Sequence, residues 1–337
     1  MKAAVVRAPG GLDRIELRDI AEPGAPGVGE IRVELHATSL NFHDLLVANG
    51  AIPTADGRVL MADGAGVVSA VGTGVTEFKR GDHVVSCFFP QWADGLPWQA
   101  VGNFAQTPGD GVDGFATLHA VRPASAFTLA PRGWTYAEAA TITTAGLTAW
   151  RALVADGGLK AGDTVLTLGT GGVSIAALQI ARMMGASVIV TSSSDEKLAR
   201  AKALGADQVV NYRQHEKWGA LVRDMTGGKG VDHVIEVGGP GTLAQSIDAV
   251  RVGGHIALIG VLTGREGTVP TSALMAKQAR LQGLIVGSRR QQQDYVAALD
   301  QAGIRPVLDR TFGLDELADA FRHQQAGAHF GKVCAAW

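Results

Sequence analysis

Apolar and polar positions alternate along the first third of the chain. Residues 2–7, 31–36, 64–71 and 83–87 run largely apolar between turns that carry Gly and Asp, which predicts short strands. Strands this short and closely spaced bury their apolar faces by closing into an antiparallel barrel or sandwich. Residues 41–49 interrupt them with helical spacing. Residues 90–113 are polar, aromatic and Gly-rich with no regular period, and predict an insertion over a site or a disordered segment.

The rhythm then changes. Residues 135–153 carry one long helical apolar pattern that starts near Thr135 and Glu138. Behind it, strand-length apolar runs at 163–168, 187–191, 208–211, 231–237 and 255–260 are separated by amphipathic stretches at 175–185, 195–204 and 241–250. Strands and helices alternating at this pace predict βαβ units and a parallel sheet, with residues 281–287 as a further strand. The tail reads as a helix, an extended piece at 307–312, a helix from Asp315 and a last strand at 332–335. The fold class is therefore α/β: a doubly wound parallel sheet joined to a β-rich domain.

Composition narrows the function. The chain has 337 residues, 46% apolar and 18% charged, which is enough for two packed domains. A net charge of −2 argues against a nucleic-acid groove. The apolar runs fall short of the ~20 residues of a membrane span, and the first residues lack the apolar run of a secretion signal. Cys87 and Cys334 stand far apart and form no CxxC, so a reduced, cytoplasmic protein is expected. The 45 glycines point to many tight turns and close backbone approaches.

The sharpest local signal is Gly169-Thr170-Gly171-Gly172-Val173-Ser174, between a buried strand and a helix. A dinucleotide site needs Gly where the chain turns and where backbone approaches the diphosphate, and a small residue where helix meets strand. Gly169, Gly171 and Gly172 fit the first two needs, and Ser174 fits the third. The helix start then offers unpaired N–H groups to the diphosphate. An NAD site places Asp or Glu at the end of the next strand for the ribose 2′-hydroxyl. Here that strand ends in Thr191-Ser192-Ser193-Ser194, and Asp195 and Glu196 come later, in the turn. Ser192, Ser193, Lys197 and Tyr212 are available for a 2′-phosphate, so NADP (NADPH) is expected over NAD. Ser193 with Glu196 also reads as a helix capping box, and Lys197 as a solvated helix residue.

Several ordered motifs, taken together, resemble the medium-chain dehydrogenase/reductase superfamily, and within it the zinc-free, quinone-oxidoreductase-like branch. They include Asn41-Phe42-His43-Asp44, Gly64-Ala65-Gly66-Val67-Val68, Gly81-Asp82-His83-Val84, Ala145-Gly146-Leu147-Thr148-Ala149-Trp150, the loop at 169–174 and Phe330-Gly331-Lys332. The resemblance covers nearly the whole chain. It implies a GroES-like β-rich catalytic domain at 1–124 and 289–337, a Rossmann dinucleotide-binding domain at 125–288, and an active site in the cleft. It further implies that Lys197 and Tyr212 contact the 2′-phosphate, that Thr148 and residues 259–262 (Ile259, Gly260, Val261, Leu262) line the nicotinamide side, and that Lys332 approaches the cofactor phosphates. Phe42, Val173, Gly238 and Phe330 complete the expected cofactor-binding set. A homodimer joined through the sheet edge near 281–287 is expected.

Zinc-binding members carry a Cys where this chain has Asn41, and a Gly-His-Glu run where it has Met61-Ala62-Asp63. The thiolate and imidazole of those motifs are thus missing; His43 and Asp63 could supply two ligands but no third is at hand, so no zinc or other metal is expected. Without a Lewis acid, quinones and α,β-unsaturated carbonyl compounds are the easier small-molecule substrates, because the charge that hydride addition produces is delocalised. Asn41 is the candidate for orienting substrate or nicotinamide and Asp44 for supporting it, although an Asn-x-x-Asp step is also an ordinary helix cap. Position 42 is Phe where related enoyl reductases have a Tyr beside the Asn, so solvent or a ribose hydroxyl is the expected proton source. Phe88, Phe89, Trp92, Trp98 and Phe104 form the expected substrate wall or a plain hydrophobic lid. An alcohol dehydrogenase-like activity, or slow cofactor binding with a non-catalytic role, are the competing readings.

Overall fold

The structure, a computed structural model, describes residues 1–98, 101 and 103–337. The chain forms two compact units, Met1–Leu147 with Val286–Trp337, and Thr148–Ile285.

The first unit is rich in strands: β1 (Lys2–Val6), β2 (Ile15–Asp19), β3 (Glu30–Ser39), β4 (Arg58–Val59), β5 (Ala65–Val71), β6 (His83–Ser86), β7 (His119–Pro123) and β8 (Phe127–Leu129). The second unit supplies β9 (Thr164–Leu168), β10 (Ser187–Ser192), β11 (Gln208–Asn211), β12 (Val231–Glu236), β13 (Val250–Leu258) and β14 (Arg280–Gly283). The chain then returns to the first unit for β15 (Leu308–Phe312) and β16 (Lys332–Ala336).

In the first unit β2, β1 and β4 form a small antiparallel sheet, and the larger sheet runs β15-β16-β3-β5-β6-β8 with β7 also paired to β3. Alternate residues of β3 (Ile31, Val33, Leu35) are buried beside Val68, Phe115 and Phe127, as a half-buried strand requires. β16 runs antiparallel to β3 with Cys334 opposite Ser39, so the last strand ends up against the segment that opens the helix Phe42–Ala48. That pairing brings Lys332, near the end of the chain, beside residues 40 and 41.

The long helix read over 135–153 is interrupted. The chain runs α-helical at Tyr136–Ala140, widens to a π turn at Ile142–Gly146, returns to α at Leu147–Trp150 and widens again at Arg151–Ala155. Gly146 donates to the Thr141 carbonyl at 3.1 Å, and a Cβ on it would lie 2.8 Å from the Tyr295 ring. Close packing and the wide turn therefore coincide at one glycine. Residues 140–144 are also tied to the first unit: Ser39 Oγ donates to the Ala140 carbonyl, Thr143 Oγ1 to the Ser86 carbonyl and Thr144 Oγ1 to Asp63. The compact unit accordingly continues to Leu147, past the division at 124 suggested by the sequence, and resumes at Val286. Residues 99, 100 and 102 of the 90–113 segment lie outside the described residues. The rest of that segment has turns and an isolated bridge between Pro108 and Val112.

The second unit is one parallel sheet in the order β11-β10-β9-β12-β13-β14, which within the unit is 3-2-1-4-5-6. It is a Rossmann sheet. Its helices are Gly172–Met183, Asp195–Ala203, Trp218–Met225, Pro240–Ala249 and Thr271–Lys277. Leu166, Ile189, Val234, Ile256 and Ile247 pack in its core. β14 ends at Gly283, short of the expected 287; farther on, Val286 takes φ +49, a conformation no strand can hold. The order reverses between β9 and β12, so the loops after these two strands flank the crevice where such sheets bind ligands.

Candidate active site

The loop after β9 has the shape that the sequence implies. Gly169 takes φ +74, which favours glycine, and its N–H is held by the Thr191 carbonyl at 2.9 Å. The helix Gly172–Met183 opens on Gly171, a cap residue with no side chain to satisfy the first-turn N–H groups. Those groups and the positive end of the helix dipole make an anion site. Ser174 is buried and donates its hydroxyl to the Leu168 carbonyl at 2.6 Å, locking helix to strand where a third glycine could only have allowed close approach. Val173 stands half-buried in that first turn.

The 2′ end of the site is assembled by strand register. Ser192 lies opposite Asn211 across β10 and β11, and Tyr212 donates its N–H to the Ser192 carbonyl. Asp195, the first carboxylate after β10, accepts from Asn211 Nδ2 at 2.7 Å and from Gln214 Nε2 at 3.1 Å. Its two oxygens are thus engaged by amides. The cap of the helix Asp195–Ala203 is Ser194, which accepts from the Lys197 N–H, and not Ser193 as the capping-box pattern suggests. Ser192 is buried, Ser193 and Lys197 are half-buried and Tyr212 is exposed.

The loop after β12 is organised by a residue that sequence reading missed. Glu236 is fully buried, yet its carboxylate accepts from the N–H groups of Gly238 (2.8 Å) and Gly239 (3.0 Å), from Thr242 Oγ1 (2.6 Å) and from Ser246 Oγ. Its own carbonyl accepts from Ile259 and Gly260. Thr263 closes the other side, donating its N–H and its hydroxyl to the Gly238 carbonyl. Gly238 and residues 259–262 therefore form one braced structure at the crevice. The clue was a carboxylate at the very end of a buried strand, followed by Gly238-Gly239-Pro240. Thr148, also of this unit, is buried on its short helix.

In the first unit, Asn41, Asp44, Asp63 and Lys332 form one buried polar cluster. Asn41 N–H donates to Asp44 Oδ2 at 3.0 Å, which caps the helix Phe42–Ala48. The Asn41 amide nitrogen donates to Asp44 and Asp63, and its oxygen accepts from Lys332 Nζ at 2.6 Å. Asp63 also accepts from Ser39 Oγ and Thr144 Oγ1, each at 2.5 Å. Burial pushes the Asp63 carboxyl up to about 6, with Lys332 opposing and Asp44 reinforcing the rise. Two readings change as a result. The Asn41 amide is committed at both ends to protein partners, so it positions the cluster instead of offering a free amide to substrate. Lys332, expected at the cofactor phosphates, is buried and donates to the Leu40 carbonyl and to Asn41. Phe330 is likewise buried, with its N–H on Asp309, while Phe42 is exposed on the first turn of its helix.

No metal set forms among the described residues. At the positions that correspond to the zinc-binding motifs stand an amide, an alanine methyl and one carboxylate, a set with no thiolate or imidazole that does not fit zinc. Beside them, Phe88, Phe89, Trp92 and Phe104 form a contiguous aromatic cluster, with Phe88 and Phe89 rings 4.8 Å apart. Trp98 is exposed and, with Phe89 and Trp92, lines a small pocket. His43 stacks on Phe104.

Residues 27–132 match the alcohol dehydrogenase GroES-like domain, and residues 172–302 match the zinc-binding dehydrogenase family. A zinc-type alcohol dehydrogenase-like protein of Schizosaccharomyces pombe is 40% identical over 332 residues, 96% of this chain and 95% of that protein. The chain belongs to the medium-chain dehydrogenase/reductase superfamily. Among solved relatives, an NAD-dependent alcohol dehydrogenase aligns over all of both chains with a TM-score of 0.90 and 36% identity. The quinone oxidoreductase of Pseudomonas syringae pv. tomato aligns over all of this chain and 99% of its own, with a TM-score of 0.82 and 28% identity. Superfamily membership makes this chain an NAD(P)-dependent oxidoreductase, with a Rossmann unit for the nicotinamide cofactor and a GroES-like unit beside it in sequence. No helix among its described residues is long and apolar enough to cross a membrane.

Proposed function

We propose that this oxidoreductase uses NADPH and, without zinc, reduces quinone-like or α,β-unsaturated carbonyl compounds. The observation that carries the cofactor choice is the end of β10. The nearest carboxylate, Asp195, is held by Asn211 and Gln214, while Ser192, Ser193 and Tyr212 stand at the ends of β10 and β11 and Lys197 in the first turn of the helix that follows β10. A ribose 2′-hydroxyl finds no uncommitted carboxylate in that set, whereas a 2′-phosphate finds hydroxyl donors and an ammonium.

Bound NADPH supplies a hydride. The chain's residues do the rest. The N–H groups at 171–173 hold the diphosphate, and the loop braced by Glu236 and Thr263 lines the nicotinamide. Trp98 and Phe104, backed by the buried Phe88, Phe89 and Trp92, stack on a planar acceptor and keep water away from it. An acceptor that delocalises incoming charge needs orientation and hydrogen-bond donors, and its proton comes from a cofactor ribose hydroxyl or from solvent once the product leaves the site. The likeness to a quinone oxidoreductase supports this reading. The likenesses to zinc-type and NAD-dependent alcohol dehydrogenases make alcohol oxidation the competing outcome.

Steady NADPH consumption with simple quinones or enones, and no alcohol-driven reduction of NADP, is the expected result of a substrate panel. The reverse pattern overturns the substrate assignment. The reading extends to a cytoplasmic homodimer joined through the β14 edge, next to the exposed Leu262, Met275 and Ile285. Light scattering should then give about twice the 34.9 kDa chain mass; a monomer at micromolar concentration contradicts it.

A further inference from the structure

We infer that Lys332 is a built-in cation standing where zinc-binding members of the superfamily hold their metal, and that its ammonium keeps the Asn41–Asp63 cluster together. The inference rests on the zinc-free reading and adds to it the group that makes zinc unnecessary for the fold.

The geometry is direct. Asn41 occupies the position of one zinc ligand, and Asp63 ends the three-residue run that supplies another. Both converge on Lys332. Its Nζ donates to Asn41 Oδ1 and to the Leu40 carbonyl, each at 2.6 Å, and lies 3.9 Å from Asp63 Oδ2. The Lys332 side chain is 6% exposed and that of Asp63 is fully buried. Asp44 brings a second buried carboxylate, which accepts from the Ala62 N–H at 2.9 Å and from Asn41. Two carboxylates in so dry a place need a positive charge nearby. Here an ammonium delivered by β16 supplies it. Topology makes the delivery possible, because β16 lies antiparallel on β3 and Leu40 donates its N–H to the Val333 carbonyl. An ammonium so placed also repels a divalent cation, and the amide at position 41 is a poor zinc donor.

Breaking one side of a buried ion pair strands the other charge, whereas replacing both sides with neutral groups of similar shape costs little. The test is therefore a double-mutant cycle on the full-length protein, read by thermal melting at pH 7.5, alongside zinc analysis after dialysis against a chelator. Lys332→Met alone should lower Tm by roughly 6–15 °C, and Asp63→Asn/Lys332→Met should regain at least about half of that loss. Wild-type protein should hold less than about 0.1 zinc per chain and keep its Tm through the dialysis. Losses that simply add across the two positions overturn the role of Lys332 and leave the zinc-free reading standing. Near-stoichiometric zinc overturns both. If Lys332→Met fails to fold, a soluble double variant still supports the proposal, because only the removal of both charges would then permit folding. A double variant that also fails to fold contradicts it.

Discussion

Asp63 concentrates the physics of the site in one side chain. Burial holds its carboxyl up at about 6, Lys332 pulls it down, and Asp44 pushes it up again. A folded-state value above the unfolded one means that the folded protein binds this proton more tightly. The contribution to stability is therefore full below about pH 4 and lost as the pH rises to about 6, a change on the order of 3 kcal/mol. Compared with Asp63→Asn/Lys332→Met, the wild type should lose stability across that window in urea unfolding; a flat difference from pH 4 to 7 contradicts the account. Asn41 illustrates how much of a residue's role its sequence motif reveals. The motif marks the residue as important and leaves open whether it faces substrate or protein. The structure turns it inward, because Lys332 arrives from the far end of the chain, and no local pattern shows that β16 pairs with β3.

Whole elements were legible in the sequence where local signals agreed. The run β9, glycine loop, helix Gly172–Met183 combines a buried apolar strand with a turn and a helix start that share one purpose. The helix Trp218–Met225 was missed although Trp218, Leu221, Val222 and Met225 recur at helical spacing, because it is only eight residues long and carries Gly219 in its first turn. It is fixed by tertiary contacts: Gly219 donates to Gln245, and its Cα packs where a Cβ would meet the Gln245 backbone at 2.4 Å. The helix Thr271–Lys277 buries none of its residues, so it carries no core pattern to read.

Strand register places His233, His255 and Arg280 side by side across β12, β13 and β14. Burial lowers His255 to about 4, helped by Arg280 and His233. Its value lies below the unfolded one, so the stability it confers is present above about pH 6.5 and is lost as the pH falls towards 4. His255→Gln should flatten that acid limb in unfolding experiments, and an unchanged limb would count against the assignment. At the other end of β12, Glu236→Gln turns one carboxylate oxygen into an NH2 group, which then faces either the three donors on Oε1 or the Ser246 hydroxyl on Oε2. It should cost about 2–4 kcal/mol in unfolding free energy and raise KM for NADPH several-fold more than it lowers kcat. Equal effects on both constants would show that the loop it braces plays no part in holding the cofactor.

For the whole molecule, the chain makes its GroES-like unit from both ends and its Rossmann unit from one continuous middle piece. The alternation of strands and helices in the middle was readable because each βα step is local. The first unit was readable as β-rich but not in its strand order, since β16 joins a sheet begun some 300 residues earlier in sequence. Cofactor held by the folded chain and not by the unfolded one must stabilise it. NADPH at about a hundred times its Kd should add about 2.7 kcal/mol and raise Tm by several degrees.

The central claim is that NADPH is held by main-chain amides after β9 and selected by side chains after β10. Calorimetric titration of wild-type and Lys197→Ala protein with NADPH and with NADH tests it most directly. NADPH should bind the wild type at least about ten-fold tighter than NADH, a difference of about 1.4 kcal/mol that the substitution largely removes. Equal affinity of the wild type for the two cofactors, or no binding of either, would contradict it.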